Sequence, residues 1–174
     1  MKTFEFSIIA SGRSIEDDDF VNAVFEAGCD DATLSFQKGV IIAEFEREAE
    51  SFAKAIASAC SQLHQTGLKI ERIEPDYLVS LSEIAERSDL SKQAISYYIK
   101  GERLEGFPLP AAKVTSKHPL WDWYQVADWL WRNNNLPREA VIQAKVVKEA
   151  NMNIDLLDMP GSMFSSRLEQ CELN

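Results

Sequence analysis

"LSEIAERSDLSKQAISYYIKG", residues 81–101, has the pattern of two short amphipathic helices separated by a tight turn. Ser80 stands three residues before Glu83, which is the spacing of a capping box, in which each side chain binds the other residue's backbone amide. The letters SDL mark the turn, Ser91 is placed to cap the second helix, and Gly101 is placed to end it. The stretch therefore predicts helices over residues 81–87 and 92–100.

Two such helices keep a fixed crossing angle when small and apolar residues occupy set positions. Ala85 supplies the small residue at the crossing. Apolar residues that would clamp and seat the second helix follow at Leu90, Ile95, Tyr98 and Ile99. Asp89 occupies the turn position where glycine is commoner, and aspartate tolerates left-handed backbone geometry better than most residues. The pattern is typical of a helix-turn-helix motif.

Helical spacing turns a polar set outward on the second helix: Lys92, Gln93, Ser96, Tyr97 and Lys100. Glutamine can form two hydrogen bonds with adenine, and serine can bond to several base edges. We therefore expect Gln93 and Ser96 to contact bases in the major groove of DNA. We expect Lys92, Tyr97 and Lys100 to contact the phosphate backbone.

The segment GFPLPAAKVTSKHPLWDW, residues 106–123, contains prolines that oppose a helix and predicts a strand, a loop and a second strand. Such a hairpin beside two helices is a wing, and its polar tip would track neighbouring phosphates. The tip and its flanks contain Lys113, Thr115, Ser116, Lys117 and His118, and Arg103 lies in the connecting loop. The sequence favours core packing over base stacking for Trp121, Trp123, Trp129 and Trp131.

The first 74 residues alternate strand and helix patterns in the order βαββαβ. The strand patterns are TFEFSIIA, the two halves of ATLSFQKGVIIAEFERE around a tight turn at Lys38 and Gly39, and LKIERIE. Between them, one helix is expected to bury Phe20, Val21, Val24 and Phe25, and another to bury Phe52, Ile56, Ala59, Cys60 and Leu63. This order predicts a ferredoxin-like split βαβ sandwich.

Residues 77–131 contain YLVSLSEIAERSDLSKQAISYYIKG, then GFPLPAAKV and LWDWYQVADWL. Together they resemble the winged helix-turn-helix of small bacterial regulators in the MerR and AlpA/excisionase-like group. The whole layout, an acidic βαββαβ-like domain followed by this winged unit, also resembles bacterial helix-turn-helix proteins. The resemblance implies a DNA-binding fold and a role in transcription.

The sequence thus predicts an α+β protein with a ferredoxin-like N-terminal domain and a winged helix-turn-helix domain that has a helical extension. The expected segments are 1–74 for the first domain, 77–133 for the second, and 134–174 for a C-terminal helix and a tail with weak order beyond Asn151. Formal charge is distributed unevenly, at −8 for residues 1–76, +1 for 77–117 and −3 for 118–174, within a total of −10. The segment 77–117, which contains the two predicted helices, is the only one that is not acidic.

Motifs for catalysis and metal binding are absent from the sequence. It has no GxSxG, P-loop or dinucleotide fingerprint, and neither His64 nor His118 has a Cys, Asp or Glu at metal-ligand spacing. The three cysteines are odd in number and widely spaced, which predicts reduced thiols. We expect no enzyme, no cofactor and no metal.

No apolar run approaches the roughly 18 residues that a membrane helix needs, and the apolar part of the N-terminus is too short for a signal peptide. These features predict a cytoplasmic protein without a membrane partner. The expected function is sequence-specific binding of double-stranded DNA as a transcriptional regulator. A homodimer would double the phosphate contacts and select an inverted repeat.

Two alternatives remain open from the sequence. The acidic N-terminal domain could bind a basic protein partner, so that the chain is an interaction module such as an antitoxin or adaptor. The same domain could instead sense a small molecule, because βαββαβ units often form ligand-responsive dimers; this second alternative is an analogy between folds.

Overall fold

The computed structural model describes residues 1–173, which form two compact units. Unit 1 consists of Met1–Pro75 together with residues 146–173, and unit 2 is Asp76–Lys145. Helix α6 (Arg138–Met152) begins in unit 2 and ends in unit 1. The described residues contain a four-stranded antiparallel sheet and seven α-helices, which confirms the expected α+β class.

The sheet of unit 1 has the strand order β2-β3-β1-β4, with every neighbouring pair antiparallel. Its strands are β1 (Lys2–Ser11), β2 (Ala32–Gln37), β3 (Val40–Ala49) and β4 (Lys69–Glu74). The turn between β2 and β3 has positive φ at Lys38 (51°) and Gly39 (84°). Positive φ at both central residues matches the twist of the flanking strands, so the expected tight turn is confirmed.

Two helices lie between the strands in the sequence: α1 (Phe20–Glu26), which buries one line of side chains, and α2 (Phe52–Gln65), which buries a broad face. The Ser51 hydroxyl caps α2 by accepting from the Lys54 amide, and α2 packs against β1, β3 and β4. All five apolar residues predicted to lie inward on α2 are buried. The β1 residues that face this core are Phe4, Phe6, Ile8 and Ala10.

The prediction that α1 buries four apolar residues is wrong for two of them. Phe20 and Val24 are buried, whereas Val21 and Phe25 are 54% and 64% exposed. Residues four apart share one line along a helix, while each next residue lies about 100° around it. Helix α1 contacts the core only along the line of Phe20 and Val24. The next line around the helix, with Val21 and Phe25, therefore lies in solvent.

One polar residue lies inside unit 1. Arg47, at 6% exposed, donates two 2.8 Å hydrogen bonds to the Asp31 carboxylate. It also donates to Gln62 Oε1 at 2.7 Å, Ser58 Oγ at 3.0 Å and the Gly28 carbonyl at 3.0 Å. A buried charge is stable only when it is paired and its donors are satisfied, and this network meets both conditions.

The expectation of weak order beyond Asn151 is wrong. The chain continues into a 3-10 helix (Ile154–Asp158) and then α7 (Met163–Leu173), which packs against α2. Phe164, Leu168 and Cys171 are buried at the spacing of one helical face, a pattern that the sequence carries. The Asn151 side chain also binds both backbone groups of Ile73, at 2.7 and 2.9 Å, and so anchors the end of α6 to β4.

Unit 2 contains a small sheet and short helices around an aromatic core. Its elements are β5 (Leu78–Val79), α3 (Leu81–Ser88), α4 (Lys92–Ile99), β6 (Trp121–Asp122) and α5 (Trp123–Arg132), followed by the start of α6. Strands β5 and β6 are antiparallel. Fully buried core residues include Val79, Ile84, Ile95, Val126 and Leu130. Trp121, Trp123 and Trp129 belong to this core, as expected, whereas Trp131 is 38% exposed.

Candidate nucleic-acid interface

Helix α3 begins and ends with the local bonds that its sequence predicts. The Ser80 hydroxyl accepts from the Glu83 amide at 3.3 Å, and the Ser80 amide donates to the Glu83 carboxylate at 2.7 Å. At the other end Asp89 is left-handed (φ 54°, ψ 33°), and the Leu90 amide bonds to the Ala85 carbonyl at 3.1 Å. This bond closes the helix C-terminus and directs the chain into α4.

Helix α4 separates a buried side from a polar side. Ser91 caps it by accepting from the Ala94 amide at 3.0 Å, and Ile95 and Tyr98 are buried. Of the predicted contact residues, Lys92, Gln93 and Lys100 are exposed, and Ser96 and Tyr97 are half-buried. The polar set thus lies opposite the buried residues, with its long side chains in solvent.

Three of the predicted residues are brought together on this surface. Gln93 Nε2 donates to the Tyr97 hydroxyl oxygen at 2.8 Å, one helical turn away. The Arg103 guanidinium carbon lies 5.2 Å from the centre of the Tyr97 ring. Gly101 (φ 69°) makes this possible, because it ends α4 and turns the chain back, with the Glu102 amide bonded to the Tyr97 carbonyl at 2.9 Å.

Two tryptophans fix the loop that follows α4, a role that the sequence does not reveal. Trp129 Nε1 donates to the Glu105 carbonyl at 3.1 Å, and Trp121 Nε1 donates to the Pro108 carbonyl at 3.2 Å. The Phe107 ring packs 5.1 Å from Trp129, measured between ring centroids. The loop that carries Arg103 is therefore held against the core of unit 2 from its far end.

The segment predicted to form a wing is a very short hairpin. Its arms meet in a single bridge between Ala112 and Leu120, where the Leu120 amide donates to the Ala112 carbonyl at 2.9 Å. The expected pair of strands is thus reduced to one residue on each side, because prolines at 108, 110 and 119 remove the amides that would extend the ladder. The predicted tip residues Lys113, Thr115, Ser116, Lys117 and His118 are all exposed.

The wing tip has its own local geometry. Lys113 is left-handed (φ 51°), the Ser116 amide bonds to the Lys113 carbonyl at 3.0 Å, and the His118 amide bonds to Ser116 Oγ at 3.1 Å. Among residues 1–173, no hydrogen bond, ion pair or ring contact joins these tip residues to the polar residues of α4. The two sets are separate parts of one candidate surface.

The cations of this surface are not neutralised by neighbouring acids. In the described part of the chain, no carboxylate forms a salt bridge with Lys92, Lys100, Arg103, Lys113 or Lys117. A cavity of about 460 Å³ at the start of α4 does contain acids, since Glu86 and Asp89 line it with Ser82 and Lys92. The surface therefore offers unpaired positive charge together with one acidic edge.

Unit 1 has the opposite character on the sheet face that carries Glu5 and Glu46. These two glutamates lie directly opposite each other on β1 and β3. A groove of about 800 Å³ on unit 1 is lined by these two and by Asp30, Asp31, Glu44 and Glu74. Within residues 1–173, none of Glu5, Glu44, Glu46 and Glu74 forms a salt bridge. Like charges directly opposite each other destabilise a sheet, so this face is electrostatically unfavourable by itself.

No group of three or more His, Cys, Asp or Glu residues among residues 1–173 is arranged to hold a metal ion. The three cysteines are free and buried, and burial raises the pKa of the Cys29 thiol. In the same described range, no helix combines the length and the apolar character needed to cross a membrane. The chain matches no protein-family model, and no curated protein or solved structure is significantly similar to it.

Proposed function

We propose that this protein binds double-stranded DNA sequence-specifically through α4 and acts as a transcriptional regulator. The observation that carries the proposal is the division of α4 into a buried apolar side and a polar side. Ile95 and Tyr98 seat the helix, while Lys92, Gln93 and Lys100 extend into solvent. The major groove of B-DNA admits one α-helix, whose polar side chains then meet base edges and phosphates.

The surrounding elements support a winged helix-turn-helix for unit 2. Helices α3 and α4 are joined by a tight left-handed turn at Asp89, and a hairpin with an exposed polar tip follows them. In unit 1, the order β2-β3-β1-β4 and the antiparallel directions support a ferredoxin-like split βαβ sandwich. The proposal therefore assigns DNA binding to unit 2 and leaves unit 1 for another role.

The small number of cations in one copy favours a homodimer as the DNA-binding form, because affinity rises with the number of phosphates that the protein neutralises. One copy offers five cations at the proposed surface, and each neutralised phosphate contributes a slope of about −0.9 to log affinity against log salt. One copy would then give a slope of about −4.5, and a homodimer on an inverted repeat would give about −9. The measured slope distinguishes the two forms.

The test is a selection from random double-stranded DNA with the full chain, followed by affinity measurements on the selected site across a salt series. We expect specific binding that weakens linearly in log salt. Gln93→Ala should abolish the preference at one or two base pairs of each half-site, and Lys100→Ala should weaken binding on all sequences with a slope shallower by about 0.9 for each bound copy.

The matched control for Lys100→Ala is Lys54→Ala, which removes an exposed lysine of unit 1 that is paired with Glu50. It should leave both affinity and slope unchanged. Failure of the folded wild-type chain to select any sequence at low salt would reject DNA binding as the function. If the two lysine variants lose the same DNA affinity, the total charge of the protein attracts the DNA, and α4 has no special part in binding.

The acidic groove of unit 1 favours a second candidate function, the binding of a basic protein segment. A Lys- or Arg-rich segment would relieve the repulsion between Glu5 and Glu46. Binding of a Lys-rich peptide to the full chain should then weaken at least severalfold in the double variant Glu5→Gln/Glu46→Gln. Glu26→Gln, an exposed acid at the end of α1, is the control. Equal weakening by both variants would indicate only non-specific attraction to an acidic protein.

A further inference from the structure

The Gln93, Tyr97 and Arg103 side chains form a chain of contacts on the exposed side of α4. Gln93 donates to the Tyr97 hydroxyl at 2.8 Å, and Arg103 lies over the Tyr97 ring at 5.2 Å. Gln93 and Arg103 are both exposed, and neither has another hydrogen bond or ion pair among residues 1–173. Long exposed side chains normally move among rotamers, so an arrangement that holds both against one tyrosine is a specific feature of this surface.

The bond to Tyr97 leaves Gln93 with the groups that adenine requires. A glutamine amide has two N–H donors and one carbonyl acceptor. One donor is occupied by Tyr97. The carbonyl oxygen and the second N–H remain, and they match the N6 donor and N7 acceptor that adenine presents in the major groove. With the Tyr97 hydroxyl oxygen accepting from Nε2, the Gln93 carbonyl oxygen keeps both of its lone pairs for a base.

Arg103 is held by the ring of Tyr97. Its guanidinium lies over the half-buried Tyr97 ring, where cation–π attraction favours it. The return of the chain at Gly101 and the anchor of Trp129 on the Glu105 carbonyl keep the loop close to α4. A guanidinium in this place carries unpaired charge and several free N–H donors, which suit a phosphate oxygen next to the base that Gln93 contacts.

We propose that Tyr97 is a positioning residue that determines the base preference of α4, by orienting the Gln93 amide toward an adenine and holding Arg103 over the adjacent phosphate. This inference rests on the proposed DNA-binding function and assigns Tyr97 a role other than the phosphate contact expected from the sequence. At the base pair that Gln93 contacts, the proposal predicts a preference for A·T. Tyr97 determines this preference without contacting a base itself.

The experiment repeats the random double-stranded DNA selection with Tyr97→Phe, which keeps the ring under Arg103 and removes only the hydroxyl. We expect Tyr97→Phe and Gln93→Ala to lose the preference for adenine at the same base pair. Tyr97→Phe should weaken binding to the selected site roughly 2- to 10-fold, the effect of freeing one ordered side chain, with an unchanged salt slope. The double variant should lose little more than Gln93→Ala alone, because the two residues act as one unit.

Two further variants complete the test. Ser35→Ala removes an exposed hydroxyl from β2 of unit 1, outside the proposed DNA-binding surface, and it should leave the preference at that base pair intact. Arg103→Ala should weaken binding on all sequences and make the salt slope shallower by about 0.9 for each bound copy. Circular dichroism and thermal unfolding of Tyr97→Phe should match the wild type, since the ring and the helix are retained.

The outcomes separate this inference from the function on which it rests. A wild-type chain that selects no sequence overturns the proposed function and the role of Tyr97 with it. A wild-type chain that selects a site, together with a Tyr97→Phe variant that keeps the preference lost in Gln93→Ala, overturns only the role of Tyr97. Additive losses in the double variant would overturn it as well.

Discussion

Units 1 and 2 carry the charge of the chain very unequally. Unit 2 has nine Lys and Arg residues against nine Asp and Glu residues, whereas the rest of the chain has nine against 19. The whole net charge of −10 therefore belongs to unit 1. An approaching phosphate backbone responds mainly to charges within about one Debye length, near 8 Å at physiological salt. The comparison teaches that total charge is a poor guide to the partner of a two-unit protein.

The units also differ in what holds them together. Unit 1 has a four-stranded sheet, a 14-residue helix and a buried Arg47 whose partners come from two segments of the chain, residues 28–31 and 58–62. Unit 2 has two-residue strands, and the ends of its short helices are fixed by Ser80, Asp89 and Ser91. Long-range polar contacts thus stabilise unit 1, and local caps contribute more to unit 2. The following predictions test this difference.

Arg47→Ala should have the largest effect on stability. Removing one member of a buried ion pair typically costs about 3–5 kcal/mol, because the remaining polar groups lose their partner in a poorly solvated place. We expect the free energy of unfolding from urea denaturation to fall by about this amount. None of the Arg47 partners belongs to unit 2, so the folded variant should keep its affinity for DNA.

Two variants accompany Arg47→Ala. Arg47→Met keeps the aliphatic length of the side chain beside Phe45 and should recover part of the loss. Lys54→Ala removes an exposed ion pair and should leave the unfolding free energy unchanged within error. Equal stability of Arg47→Ala and the wild type would show that the network contributes nothing to unit 1.

Ser80→Ala should lower the stability of unit 2 by about 1 kcal/mol, because it removes one half of the capping box on α3. Hydrogen exchange of the α3 amides, compared with that of the β1 amides, locates the loss in the correct unit. Ser82→Ala changes an exposed serine in the first turn of the same helix and serves as the control. If both serine variants lose stability equally, the cap is not the cause.

Asp89→Gly should raise stability by up to about 1 kcal/mol, because glycine adopts the left-handed conformation (φ 54°) without steric cost. It should also raise DNA affinity about twofold, the effect of removing one exposed negative charge near the phosphates. Asp89→Asn removes the charge and keeps a side chain, so it should give the affinity change with a smaller change in stability. Unchanged affinity in both variants would place Asp89 away from the DNA.

The smallest expected effect is a change in the pKa of Glu71, an acid of unit 1 that accepts a hydrogen bond from Ser11. The Ser11 hydroxyl, 2.5 Å from Glu71 Oε1, lowers the pKa of Glu71, and Lys69 lowers it further. A lowered folded-state pKa adds stability at pH values above the ordinary carboxyl pKa, and this contribution is lost as the pH falls through the folded-state value. We expect Ser11→Ala to raise the pKa of Glu71 in an NMR titration. Lys69→Met should raise it less, and no change in either variant would contradict the assignment.

Features that depend on residues close in sequence are predictable because their partners are fixed by helix and turn geometry. The capping box at Ser80 and Glu83 spans three residues, and the turns at Asp89 and at Lys38 with Gly39 depend on φ preferences of single residues. The same reasoning identified Lys92, Gln93 and Lys100 as exposed, because Ile95 and Tyr98 define the buried side of α4, whereas Ser96 and Tyr97 are half-buried.

Two errors in the predicted fold have a common cause. The periodic pattern makes Val21 and Phe25 look like core residues. The pattern does not show how much of the circumference of α1 packs against the core. The tail beyond Asn151 looks irregular, and it folds because α2 offers an apolar surface to Phe164 and Leu168. In both cases a distant element decides whether an apolar residue is buried.

The sequence by itself determined the α+β composition, the helix caps at Ser80 and Ser91, the left-handed turns and the exposure of Lys92, Gln93 and Lys100 on α4, because these follow from backbone geometry over three or four neighbouring residues. Only the tertiary structure decided the placement of Arg47 among its partners, the return of α7 to α2, and the contact of Arg103 with Tyr97. Each of these joins residues whose distance in the chain says nothing about their distance in space, so their energies depend on the folded core.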